Sequence, residues 1–148
     1  MLAKGLAVGL GTDGAASNND LNMWEEMDTA AKLHKLTSGD PKAASAEQVF
    51  DMTTIRGARA LDLDKITGSI EVGKRADIAI VDFNSLHQTP MYNVYSHLVY
   101  ATKASDVRTV IINGRIVMLD RRLLTLNESA IKIDANLYHK KIIQSLRN

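Results

Sequence analysis

The sequence predicts a mixed architecture, in which an α/β segment is followed by a small antiparallel β unit and a terminal helix. Three observations predict it. A short apolar run at 6–10 leads into glycines and one acidic residue, Asp13. Apolar residues then recur at helical spacing over 20–36. Further along, the pair Asn113-Gly114 lies between two β-like runs and indicates a hairpin.

The run at 6–10 predicts one buried strand, because apolar residues without alternation are typical of parallel sheets covered on both faces. Such a strand needs neighbours on both sides to pair its backbone N–H and C=O groups. The later strands are antiparallel in character and are separated from this one by two helices. We therefore expect the neighbouring strands to lie outside this sequence.

The first long helix is predicted at 20–36, with Met27 on its apolar face and with Glu25 and Glu26 facing outward. Gly39 and the proline that follows it end this helix, because glycine closes helices and proline cannot continue them.

A second helix is predicted from Ser45, whose spacing from Gln48 is that of a capping box, to about Leu61. The chain then becomes rich in turns before it turns β-like. Two strands are predicted at 76–82 and 107–112, and the hairpin partner of the second at 115–118. A last helix is predicted from about Asn127, over 127–148.

Composition excludes several classes of protein. The net charge of +1 over 148 residues gives no electrostatic reason to expect nucleic acid or an anionic membrane as a partner. Every apolar stretch is far shorter than the about 20 residues that a membrane-spanning helix needs. The absence of cysteine excludes thiolate metal sites and fits a cytoplasmic protein.

The glycines at 9, 11 and 14 match the spacing of a dinucleotide-binding turn, but three features argue against that interpretation. Asp13 would place negative charge beside the phosphates, and the helix is expected to begin only near Ser17 to Asp20. The second strand of such a fold is also replaced by amphipathic helix. We expect the glycines instead to allow close backbone packing and a sharp exit around Asp13.

From the residues alone, Asp13 has two open interpretations. A carboxylate at the end of a strand can bind a metal ion or accept a proton, and it can equally cap the next helix. Its neighbours Thr12, Ser17 and Asn18 are also good turn and cap residues. The histidines have no ligand spacing: His34, His87, His97 and His139.

Four passages resemble the amidohydrolase superfamily, in the branch that holds 5-methylthioadenosine/S-adenosylhomocysteine deaminases and triazine chlorohydrolases. The first is similar to the eighth barrel strand and its helix, and the others to the regions that follow the barrel. The passages are GLGTDGAASNN with LNMWEEM (9–27), TTIRGARAL (53–61), GSIEVGKRADIAIVD (68–82), and SHLVYA with VRTVIINGR (96–115).

This resemblance implies the end of a (β/α)8 barrel over 1–64, part of a composite β-sandwich over 65–122, and a C-terminal helix over 123–148. It implies one divalent metal ion, zinc or iron, whose bound water displaces ammonia or chloride from a small heteroaromatic substrate, a purine-like or triazine ring. Asp13 matches the aspartate that contacts the metal ion and moves the proton. Ser17, Asn18 and Asn19 match the loop on the substrate side.

The resemblance is limited to the C-terminal portion, since a whole barrel takes about 250 residues. We therefore expect a fragment that is inactive alone and does not bind the metal ion stably. We also expect it to form a homo-oligomer or to take the missing barrel strands from a partner chain. Two alternatives stay open: a stand-alone, non-catalytic α+β interaction or oligomerisation module, and one half of a split enzyme.

Overall fold

The computed structural model describes residues 1 and 4–147. Within them, four helices come first, a four-stranded sheet follows with short helical segments between its first two strands, and a terminal helix ends the chain. Residues 2, 3 and 148, which belong to the first and last expected units, lie outside the described residues. The α-helices are α1 Ala15–Asn18, α2 Met23–Ser38, α3 Ala46–Thr53, α4 Ile55–Ala60, α5 Val94–Ser96 and α6 Glu128–Ser145. The strands are β1 Ile78–Val81, β2 Val107–Ile112, β3 Arg115–Leu119 and β4 Arg122–Leu123.

The strand predicted at 6–10 is not formed. These residues have no regular secondary structure, and Leu6 is half exposed where a buried strand was expected. The physical reason is pairing, since a strand exists only beside another strand. Within the described part of the chain, all paired strands lie between residues 78 and 123.

The segment is nevertheless held by a close backbone approach. The Leu10 N–H donates a hydrogen bond to the Met52 C=O over 3.1 Å. A Cβ on Gly9 would lie 3.0 Å from the Gly57 Cα, and a Cβ on Gly57 would lie 2.8 Å from the Met52 oxygen. Close packing is thus confirmed at Gly9, whereas a Cβ at Gly11 would meet open space.

Helix α2 confirms the first long helix, although it begins at Met23 because Asn22 caps it. The Asn22 Oδ1 accepts a hydrogen bond from the Trp24 N–H over 3.2 Å. Gly39 ends the helix in the left-handed conformation, with φ 67°. The predicted apolar face is also confirmed, since Met27 is buried.

The second predicted helix begins at its capping box but is broken in the middle. Ser45 and Gln48 make both reciprocal hydrogen bonds of the box. The break falls at Thr54, between α3 and α4. The hydroxyls of Thr53 and Thr54 both donate to the Phe50 C=O, over 2.7 and 2.9 Å, and so compete with the helical hydrogen bonds.

The core lies between α2, α3 and the turn of π-helix at His97–Ala101. Its buried side chains are Met27, Ala31, Val49 and Val99. Leu10, at the end of the 6–10 segment, packs against this cluster. The core therefore anchors the segment that leads to Asp13.

The sheet is antiparallel in the order β1-β2-β3-β4, as the sequence predicts for the hairpin. Asn113 and Gly114 join β2 to β3 with φ of 50° and 77°, the left-handed values that a type I′ turn requires. The Gly114 N–H donates to the Ala76 C=O over 3.0 Å, and the Asn113 N–H donates to Asp77 Oδ1 over 2.6 Å.

A buried polar network joins the sheet to the segment before the π-helical turn. Asp106 Oδ2 accepts hydrogen bonds from His87 Nε2 (2.9 Å), Gln88 Nε2 (3.1 Å) and the Lys103 N–H (2.8 Å). Burial raises the pKa of the Asp106 carboxyl, but these three hydrogen bonds outweigh burial and lower that pKa below its usual value. Gln88 Nε2 also donates to Thr102 Oγ1 over 3.0 Å.

We predict that Gly57→Ala destabilises the fold by about 1–3 kcal/mol, because the added methyl group would overlap the Met52 C=O. The measurement is the free energy of unfolding from urea denaturation followed by circular dichroism. Gly11→Ala is the matched control and should leave that free energy nearly unchanged. Equal effects of the two substitutions would contradict the close approach.

We predict that the Asp106 network is lost in acid. A carboxyl whose pKa is lowered by folding stabilises the protein above its unfolded pKa, and this contribution disappears as the pH falls through the lowered pKa. Asp106→Asn should therefore reduce the free energy of unfolding at pH 7 and flatten its decline below about pH 4. Asp62→Asn, an exposed control, should leave the acid decline intact.

Candidate functional site

The candidate site begins where the 6–10 segment ends, and Asp13 lies in the turn before α1. The Asp13 carboxylate is exposed, and its Oδ1 accepts a hydrogen bond from the Gly14 N–H over 2.8 Å. The Thr12 hydroxyl donates to the Asp13 C=O over 3.1 Å. Within the described residues Oδ2 accepts no hydrogen bond, so one carboxylate oxygen is open to a ligand or a proton.

The backbone around α1 is strained at both ends. Asp13 has φ 56° and Asn19 has φ 66°. These left-handed values cost a residue that has a Cβ about 1–2 kcal/mol. Asp and Asn bear that cost best, because their short side chains bond locally. Five other non-glycine residues among those described also have positive φ, so the strain favours a function for this turn only together with the open carboxylate oxygen.

Helix α1 positions the three residues after Asp13 differently. Ser17 is exposed, and its N–H donates to the Gly14 C=O over 2.9 Å. Asn18 is half-buried, and its Nδ2 donates a short hydrogen bond to Glu26 Oε1 on α2. The expectation that the helix begins near Ser17 to Asp20 is wrong, since α1 starts at Ala15 and α2 follows separately.

Asn18 and Asn19 line an open cleft of about 280 Å³ with residues of α2. The prediction that Glu26 faces outward is wrong, since Glu26 turns towards α1. Sequence periodicity missed this contact because it depends on the chain reversal between the two helices. Asp13 and Ser17 do not line the cleft, whose walls are Asn18, Asn19, Asp20, Glu25, Glu26 and Thr29.

The histidines are used elsewhere or stand apart from this turn. His87 Nε2 donates to Asp106 Oδ2 over 2.9 Å, and His97 Nδ1 lies 3.2 Å from the Asn93 C=O. Across residues 1 and 4–147, no three His, Cys, Asp or Glu side chains lie close enough to hold a metal ion. Asp13 can therefore supply one ligand, and the residues described here do not complete a metal site.

Among the helices described, none is long and apolar enough to cross a membrane.

Comparison with known proteins finds relatives both by sequence and by structure. The profile of the amidohydrolase family matches residues 1–117. A 5-methylthioadenosine/S-adenosylhomocysteine deaminase of Syntrophus aciditrophicus is 51% identical over 147 residues, which cover 99% of this chain and 33% of that protein. A 5′-deoxyadenosine deaminase of Methanosarcina barkeri is 50% identical, over 91% of this chain and 31% of the relative.

Solved structures with zinc share the fold. An adenosine deaminase from Xanthomonas campestris with bound zinc superposes with a TM-score of 0.93 at 37% identity, over 97% of this chain and 33% of the other. An atrazine chlorohydrolase of Arthrobacter aurescens complexed with zinc superposes with a TM-score of 0.83 at 24% identity, over 92% and 30%. The chain thus spans about a third of the length of the proteins that it matches, and the matched part is their C-terminal part.

We predict that Asn18 and Glu26 are energetically coupled, because their hydrogen bond joins α1 to α2. A double-mutant cycle of Asn18→Ala and Glu26→Ala, measured by urea unfolding, should give a coupling energy of about 1 kcal/mol. The matched control replaces Glu26→Ala with Glu25→Ala and should give almost none. A coupling indistinguishable from that control would show that the contact does not order the turn.

Proposed function

The chain belongs to the amidohydrolase family, and we propose that it serves in a metal-dependent hydrolase that displaces ammonia or chloride from a heteroaromatic ring. The observation that carries the proposal is an exposed aspartate, strained and with one open oxygen, in the part of the chain that this family's profile matches. Among substrates we favour adenosine-like nucleosides over triazines. The relatives named for adenosine derivatives are 51% and 50% identical to this chain, against 24% for the chlorohydrolase.

We propose that 1–64 forms the end of a (β/α)8 barrel, 65–122 part of a β-sandwich, and 123–148 a terminal helix. The superposition with whole enzymes of this family supports that division. So does the 6–10 segment, which is held to the α3–α4 corner through the Leu10 N–H and pairs with no strand among the described residues. Those strands would come from the remainder of a longer protein or from a partner chain.

The proposed role of Asp13 is to give one oxygen ligand to a divalent metal ion and to hold a proton. The Gly14 N–H fixes Oδ1, which leaves Oδ2 to take either part. When bound, zinc or iron activates a water molecule as the nucleophile. The other metal ligands are not among the residues described here. We therefore propose a complete metal site only for a longer enzyme that contains this segment.

We propose that Ser17, Asn18 and Asn19 contact the substrate. Amides and hydroxyls both donate and accept hydrogen bonds, as the polar edge of a purine ring requires. The hydrogen bond from Asn18 to Glu26 leaves the Asn18 amide oxygen as an acceptor for that edge. Asn19 stands beside it on the wall of the open cleft.

The test is a chimera in which this chain replaces the corresponding C-terminal third of the Xanthomonas campestris adenosine deaminase. The chimera should release ammonia from adenosine, and Asp13→Asn should lower kcat at least about a hundredfold, because the substitution removes a charged ligand and a proton acceptor. Zinc content is measured in both proteins. Full activity of the Asp13→Asn chimera would overturn the assignment.

The matched control is Asp40→Asn, an exposed carboxylate outside the cleft whose Oδ1, like that of Asp13, accepts a hydrogen bond from a backbone N–H. It should change kcat far less than Asp13→Asn. The isolated chain provides a second control and should release no ammonia with or without added zinc. Turnover by the isolated chain would contradict the proposal that the site is completed by other residues.

A further inference from the structure

Helix α6 is the most exposed long element of the protein. It is capped by Asn127, whose side chain accepts a hydrogen bond from the Ala130 N–H, and it has 18 residues, which makes it about 27 Å long. None of these residues is buried. The match to the family profile ends at residue 117, before the helix begins.

Apolar side chains lie on two faces of this helix: a stripe of four positions on one face, and the shorter pair Ile133 and Leu137, exposed by 62% and 51%, on the opposite face. Ile131, Ala135, Tyr138 and Ile142 recur at steps of four, three and four residues, the spacing of a helix-pairing seam. The exposed fractions of the three large side chains are 49%, 63% and 57%. An apolar stripe that stays exposed in this way favours a partner that covers it.

We propose that α6 pairs antiparallel with α6 of a second copy of this chain. The stripe is self-complementary under a two-fold axis between positions 136 and 137. That axis brings Ile131 against the partner copy's position 142, and Ala135 against position 138. A large residue then meets a large one at the ends and a small residue meets the tyrosine in the middle, as an isologous interface requires.

The charges on one flank of the stripe follow the same symmetry. Asp134 and Lys141 flank the seam on the same side, and the antiparallel arrangement places each beside the opposite charge of the other copy. Lys141 already lies against the stripe, with its Nζ 5.2 Å from the centre of the Tyr138 ring. The antiparallel order also opposes the two helix dipoles.

The second flank has no charge conflict of comparable size. Lys132 faces His139 of the other copy there, but the Lys132 Nζ lies 3.9 Å from Glu128 Oε2 on its own helix. The acidic partner at the preceding turn offsets the lysine charge. This flank therefore permits the pairing, and the choice of orientation rests on Asp134 and Lys141.

Sedimentation velocity of the full 148-residue chain over a range of micromolar concentrations tests the proposal. The chain should be dimeric, and Ile142→Glu should raise the dimer Kd at least about a hundredfold, because it removes two apolar contacts by symmetry. A chain that is monomeric at every concentration would overturn the proposal.

A charge exchange tests the pairing by a second route, which does not depend on whether Ile142→Glu folds. Asp134→Lys alone and Lys141→Asp alone should each raise the dimer Kd about tenfold, since each creates two like-charge pairs. The double variant should restore the original Kd. Lys140→Asp, with the same charge change on the opposite face, is the matched control and should have little effect. Association that none of these variants alters would assign the contact to another surface and overturn the pairing.

The orientation is tested separately with a spin label, which is simple because the chain has no cysteine of its own. In an antiparallel pair, labels at Ser145→Cys, a position on the seam side of the helix, stand about 25 Å apart along the helix axis. In a parallel pair they stand within about 10 Å of each other, the distance between neighbouring helices. A distance in the shorter range would exclude the two-fold axis between 136 and 137.

Discussion

The arrangement of the first four helices depends on one backbone contact, the approach of Gly9 to the corner between α3 and α4. A Cβ at Gly9 would crowd the Gly57 Cα, and a Cβ at Gly57 would overlap the Met52 C=O that accepts the Leu10 N–H. Because the segment ends in Leu10, which packs on the core, its position also determines where Asp13 emerges. The candidate site is therefore set by a contact between glycines rather than by a charged or polar interaction.

The sequence predicted the elements that local chemistry encodes. The capping box at Ser45, the stop at Gly39 and the turn at Asn113-Gly114 are each encoded by neighbouring residues, and each is confirmed. Predictions that need distant partners were less successful. The strand at 6–10 is absent because its neighbours are absent from the described chain.

The site shows the same division. The strained turn at Asp13 follows from a glycine-rich passage that the sequence displays directly. The contact between Asn18 and Glu26 could not be predicted from helical periodicity, because it depends on the angle between two separate helices. The network around Asp106 was missed for a related reason, since it joins His87 and Gln88 to a residue far along the chain. Long-range polar contacts leave no periodic signal.

The turn at Asn113-Gly114 has a consequence for the chemical lifetime of the protein. Asparagine followed by glycine is the pair most prone to deamidation, a reaction in which the glycine backbone nitrogen attacks the asparagine side-chain carbonyl to form a cyclic imide. Here the Gly114 N–H is held by the Ala76 C=O, 3.0 Å away, and the turn fixes both residues in left-handed conformations. The folded sheet thus restrains the Gly114 nitrogen from attacking the Asn113 side-chain carbonyl. We expect deamidation of Asn113 to proceed mainly when the hairpin opens.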